Sequence, residues 1–482
     1  MARGWRRANP WRTWSIPLMV GAGISYSIAT NNPLKLESFD PELLRQDDIS
    51  KPYNPPFAPY NIDQANDVLR WEEGTQVCGT GSGVLRFDRV RVPANGPCED
   101  ELISAAGHEN GEIKWLLWGV FDGHAGWETA AAIHDCVVRY VVRELVAYAP
   151  NERISDVAGD KVDRAIKDAF LKMDRDIMDL GAKAASGATF LTNAMSQLVP
   201  CYAGSCALLS YYNSGTQDFK VACVGDSRAV LGRRNASGGW DAFPLSVDQT
   251  GYNKDEVSRL EKEHPDEPNM IKAGRLLGLA VTRAFGDSRW KWDCEVQEKA
   301  HSRFFGPKIR DYTLTPPYLT AEPVITTTKI EPDKGDFVIQ ASDGLWDNLT
   351  SQQAVDLVGK WLDKNDPSKD IPAPDLAASP ATPSANESIS VRQNPDASKS
   401  YSETSPVDAK HFVVVDDNAA THLVRNSLGG GDEDRLCGML TPTPPFARNV
   451  RCVVHLEIFC LDFRASVPDC WGELLEMTSP SR

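Results

Sequence analysis

The chain has 482 residues, enough for one large catalytic domain with tails or for two domains. With 41% hydrophobic residues it can build a sizeable core, and 51 basic against 67 acidic residues leave a formal charge of −16, which argues against a nucleic-acid partner. The 11 cysteines are scattered and form no C-x-x-C pair, which argues against a thiolate zinc site and against a disulfide framework.

Arg3, Arg6, Arg7 and Arg12 open the chain, and the first acidic residue is Glu37. An Arg-rich, acid-free start reads as a mitochondrial address. Residues 13–34 carry no charge, so 1–34 is expected to be a mitochondrial targeting segment or a short single membrane anchor. Residues 35–65 are rich in Pro, Asn and Asp and read as a linker. The continuous apolar run at 114–121 (KWLLWGVF) predicts a buried strand ending at Asp-Gly. Ile133, Val137, Val141 and Leu145 recur at helical spacing and predict a helix over 127–147, followed by a second at 157–180. Short strands are expected at 205–211, 219–224, 229–232 and 336–342. Thr350 and Gln353 form a capping box for a helix reaching about Trp361. Residues 363–410 are dominated by Pro, Ser, Ala, Asp and Asn, a composition that predicts a disordered insertion. Beyond it, Asp417 or Asn418 should cap a helix that stops at Gly429. Strands interleaved with long helices indicate a layered core.

The chemistry sits at strand ends. Asp122 ends the first apolar strand, Asp343 ends the strand at 336–342, and both are followed by Gly. Asp347 lies four residues after Asp343, Asp226 follows the strand at 219–224, and Glu99 and Asp100 follow a loop. Hard cations such as Mg²⁺ and Mn²⁺ take oxygen ligands of this kind. Each acid also has a plain reading as a turn residue or an exposed loop residue.

Their flanking motifs discriminate. VFDGHAG (120–126), AGSCALL (203–209), VACVGDSRAVLG (221–232), LGLAVTRAFGD (277–287) and IQASDGLWDNL (339–349) resemble, in order, the motifs of the type 2C metal-dependent Ser/Thr protein phosphatases. The resemblance implies an α+β fold, a four-layer α-β-β-α sandwich with two central antiparallel sheets, here spanning 66–462 and followed by an atypical tail at 463–482. It implies two Mg²⁺ or Mn²⁺ ions and a weaker third site. Asp122 would bridge the two ions and the Gly123 carbonyl would bind one. Glu99 would reach an ion directly or through water. Asp343 would ligate the other, and Asp226 and Asp347 would form the third site with Asp343. His124 would be the general acid for the departing serine oxygen, or alternatively a hydrogen-bonder that orients Asp122.

PANGPCED (93–100) and DDNAATHLVRNSLGG (416–430) are similar to the pyruvate dehydrogenase phosphatase branch and its fungal mitochondrial relatives. That likeness implies a phosphoprotein substrate, phosphorylated pyruvate dehydrogenase among the candidates, and a mitochondrial location. Asn95 stands where most of the family has a phosphate-binding Arg, leaving Arg89 and Arg91 as nearby cations. The likeness ends at Arg451. Cys452 and Val453 replace an Asp-Asp pair whose first member the family uses as a metal ligand. Two expectations follow: a phosphatase with a weakened metal site, or a pseudophosphatase that binds phosphoproteins.

Overall fold

The computed structural model describes residues 58–78, 82–93, 97–187, 190–311, 313–365, 407–442 and 452–459. The leader, most of the linker, Asn95 and most of the 363–410 insertion lie outside them. Two antiparallel sheets form the centre. Their strands are β1 (Gly74–Val77), β2 (Val84–Val92), β3 (Glu101–Glu109), β4 (Glu112–Phe121), β5 (Ala207–Asn213), β6 (Asp218–Val224), β7 (Arg228–Arg234), β8 (Trp240–Pro244), β9 (Val324–Lys329), β10 (Phe337–Ala341) and β11 (Cys452–Phe459). One sheet has the order β1-β2-β11-β10-β7-β8 and the other β9-β6-β5-β4-β3.

Side-chain alternation assembles the layers. Along β4, Leu116, Trp118 and Val120 enter the core between the sheets, while Trp115, Leu117 and Phe121 pack outward on helices. Both faces are covered, which is why this strand reads as an unbroken apolar run. Trp118 stacks on Phe219 with ring centroids 6.3 Å apart. On the outer face of the second sheet lie α1 (Glu128–Tyr148) and α2 (Gly159–Ser186). Over the first sheet pack helices Ile62–Arg70, Ser351–Asn365, Ala419–Leu428 and Glu433–Leu440. The result is the expected four-layer α-β-β-α sandwich.

Two sequence boundaries move. Ile62–Arg70 is a helix with an Asn61–Gln64 capping box, and Ala65 and Leu69 are buried under the first sheet, so order begins before the predicted end of the linker. The helix at Ser351–Asn365 extends past Asp363, and a 3-10 turn at Ala409–His411 precedes the predicted end of the insertion. Both predicted caps are present. Thr350 and Gln353 exchange hydrogen bonds of 2.9 and 3.2 Å, and the Asn418 side chain accepts from the Thr421 amide at 2.9 Å.

Every residue of the helix Ala419–Leu428 is buried, polar ones included. Arg425 pairs twice with Asp416, at 2.6 and 2.8 Å, and Asp88 accepts the Ala419 amide at 2.7 Å. His422 donates from Nε2 to the Leu357 carbonyl at 3.0 Å, and its Nδ1 accepts from Asn426 at 3.1 Å. A second ring proton would break the latter bond. Burial, opposed in part by the Leu357 bond and nearby Asp416, lowers this histidine to about 4. The unfolded chain therefore takes up a proton near the ordinary histidine value of about 6.5 that the folded chain refuses until about 4. Stability is fully present above about pH 6.5 and falls by roughly 3 kcal/mol as the pH drops to about 4. Urea unfolding at pH 7 and pH 5 should show about 2 kcal/mol of this loss, and His422→Gln should flatten it. An unchanged slope in the variant would assign the acid sensitivity to other groups.

Candidate active site

One end of the sandwich gathers the strand-end acids. Asp122 follows β4, and its carbonyl accepts the Cys206 amide at 2.9 Å. Asp226 lies in the turn between β6 and β7, and Asp343 follows β10 as the first residue of the one-turn helix Asp343–Trp346. Asp122, Asp226 and Asp343 each present a carboxylate oxygen within 4.8 Å of the other two. Asp122 and Asp226 are buried and Asp343 is half-buried. Asp347 sits one helical turn beyond Asp343, its amide donating to the Asp343 carbonyl at 2.8 Å.

The electrostatics are those of crowded anions. Burial and then the neighbouring Asp343 and Asp248 push Asp226 up to about 7. Asp347 lies at the rim, yet desolvation by its neighbours and then Asp343 raises it to about 6. The Cys206 thiol donates to Asp226 at 3.4 Å. Converging oxygen donors that resist carrying their charges together suit a hard divalent cation, so the residues fit the metal implied by the sequence.

Glu99 reaches the same loop. Its Oε1 accepts the Gly126 amide at 2.8 Å, and its carbonyl oxygen would lie 2.2 Å from a Cβ at position 123. Gly123 is therefore required for this approach. Residues Gly123–His124 pair with Gly204–Ser205, which in turn pairs with Phe285–Gly286. His124 Nε2 lies 2.7 Å from Asp287 Oδ2.

The structure brings together Asp122, Asp226 and Asp343, sets Glu99 against the loop of Gly123, and couples Asp347 to Asp343. Arg91 is engaged elsewhere: it bonds to Glu72, to Glu101 at 3.0 Å and to the Asp100 carbonyl at 2.9 Å. Two acids escaped the sequence reading. Asp248 pairs with Arg228 at 3.1 and 2.5 Å, and Asp287 meets His124. Asp287 closes the motif LGLAVTRAFGD, which was its available signal; Asp248 had none.

The family model for "Protein phosphatase 2C" matches residues 87–383. A protein phosphatase 2C homolog of Schizosaccharomyces pombe is 39% identical, covering 79% of this chain and 81% of its own length. The mitochondrial pyruvate dehydrogenase phosphatase 1 of Saccharomyces cerevisiae is 36% identical over 81% of this chain and 71% of its length. The human mitochondrial pyruvate dehydrogenase phosphatase 2 is 30% identical over 81% of each. Fold, acidic centre and these likenesses define a metal-dependent protein phosphatase. The chain belongs to the protein phosphatase 2C family and acts on phosphoserine and phosphothreonine in protein substrates. They support catalysis over the pseudophosphatase reading.

Proposed function

We propose that this phosphatase dephosphorylates serine residues of the pyruvate dehydrogenase complex in mitochondria, with Mg²⁺ or Mn²⁺ as its metal. The convergence of Asp122, Asp226 and Asp343 within 4.8 Å carries the chemical part of the reading. The names of the relatives in Saccharomyces cerevisiae and human support the substrate and the location. Asp122, the Gly123 carbonyl, Glu99 and Asp343 would hold two ions, and Asp226 and Asp347 with Asp343 a weaker third. Cations there supply activation of water and neutralise charge on the phosphoryl oxygens. His124 gives a proton to the departing serine oxygen, which as an alkoxide is a poor leaving group. Arg91 is paired with Glu72 and Glu101, so it would have to share those partners to hold the substrate phosphate.

The test is an assay on the phosphorylated dehydrogenase and on an unrelated phosphoserine peptide. Turnover should need Mn²⁺ or Mg²⁺, vanish with chelator, and favour the dehydrogenase. Full activity in excess chelator would sink the metal mechanism, and equal rates on both substrates would sink the substrate assignment. Among the described residues no helix is long and apolar enough to cross a membrane. The Arg-rich leader supports import, and a fluorescent fusion of residues 1–50 that stayed in the cytosol would end that reading.

A further inference from the structure

We propose that Asp287 is a positioning residue for catalysis, holding the His124 ring and fixing the proton on Nε2. This rests on the reading of His124 as the general acid. Asp287 occupies the N-cap position of the short helix Ser288–Lys291, where an Asp side chain ordinarily accepts a hydrogen bond from the helix's own amides. It makes no such bond. The carboxylate crosses instead to His124, which is 24% exposed at its side chain while that of Asp287 is 2% exposed. A carboxylate only accepts, so Nε2 is the donor at 2.7 Å.

The backbone is built around this contact. Asp287 adopts left-handed angles, φ 57° and ψ 50°, an uncommon conformation for a residue with a side chain. Its amide donates to the Ala203 carbonyl at 2.8 Å. The preceding Gly286 amide donates to Asp174 at 3.0 Å, and Lys291 binds both Asp174 oxygens at 2.7 Å. Gly204, paired with His124 on one side and Gly286 on the other, separates the two partners. A methyl group at Gly204 would stand 2.3 Å from His124 Nε2 and 2.4 Å from Asp287 Oδ2. The short three-stranded sheet thus clamps acid and imidazole at hydrogen-bond distance, with room for no side chain between them.

With Nε2 committed to Asp287, the proton delivered to the serine oxygen comes from Nδ1 of the doubly protonated ring. Water adds to phosphorus, the bond from phosphorus to the serine oxygen breaks, and that oxygen takes the Nδ1 proton. The neutral ring keeps its Nε2 proton and recovers the other from solvent, balancing the proton released by the attacking water.

The experiment compares Asp287→Asn, Gly204→Ala and His124→Ala in the full chain with Mg²⁺, on a phosphoserine peptide and on p-nitrophenyl phosphate, whose leaving group needs no proton. Asp287→Asn should slow the peptide by about 100-fold and the aryl phosphate by no more than about threefold. Gly204→Ala should follow the same pattern. Nitrogen-15 spectra of labelled histidine should place the His124 proton on Nε2 in the parent chain and redistribute it in Asp287→Asn. If His124→Ala is selective for the peptide but Asp287→Asn is not, the positioning role falls and the acid survives. If His124→Ala slows both substrates alike, the acid reading falls, and the spectra decide whether Asp287 sets the tautomer. An unchanged histidine spectrum in Asp287→Asn overturns the inference outright.

Discussion

Asp122→Asn should cut turnover by about a thousandfold or more while the chain stays folded. The residue stands at the end of β4 with two other carboxylates converging on it, so an amide there removes a negative charge that a divalent cation needs. In the metal-free chain the three acids repel at close range; Asp226 is held up first by burial and then by the neighbouring Asp343. Neutralising one of them should leave the metal-free melting temperature equal or higher. The rise in melting temperature on adding Mn²⁺, a linkage effect of binding to the folded state, should nearly disappear. Asp343→Asn should behave alike. Calorimetric melting with and without Mn²⁺, beside a phosphopeptide assay, checks both. A variant that kept its Mn²⁺ shift and its turnover would remove the residue from the metal set.

Replacing Cys452 and Val453 together by Asp should tighten Mn²⁺ binding by at least roughly tenfold and raise turnover with it. The backbone supports this prediction. β11 lies between β2 and β10, with Val454 opposite Ala341 and Cys452 opposite Val92. The ladder to β10 ends at Val454 and Ala341, and the helix Asp343–Trp346, which begins two residues after Ala341, contacts β11. A carboxylate introduced at position 452 adds an anionic donor beside the acidic cluster, and binding tightens by a factor of ten for each ~1.4 kcal/mol gained. Isothermal titration with Mn²⁺ reads the effect directly. If the unmodified chain already binds two ions tightly and the replacement gains nothing, another residue supplies the ligand.

The closing strand shows how much a backbone can carry without the expected residues. The sequence likeness stops at Arg451, yet residues 452–459 enter the centre of a six-stranded sheet. Main-chain amides and carbonyls make the ladder, and an apolar run suffices for that. The metal ligand expected at the head of the strand is a matter of side chains, which a ladder does not supply. The linker shows the converse: Asn61, Gln64, Ala65 and Leu69 hold a capping box and an apolar face, signals that neighbouring prolines obscured.

The sequence by itself determined the central strands and long helices and set Asp122, Asp226 and Asp343 at strand ends, because periodicity and turns are local; the four-layer sandwich and the metal role of those acids came from the resemblance of the flanking motifs to the type 2C family. It also determined both predicted helix caps, whose partners lie three residues apart. Only the tertiary structure decided that Asp287 meets His124, that Arg91 is spoken for by Glu72 and Glu101, and that Ala419–Leu428 is buried on every side. Those contacts join residues far apart in the chain, and their energies depend on burial and distance, which no local pattern encodes.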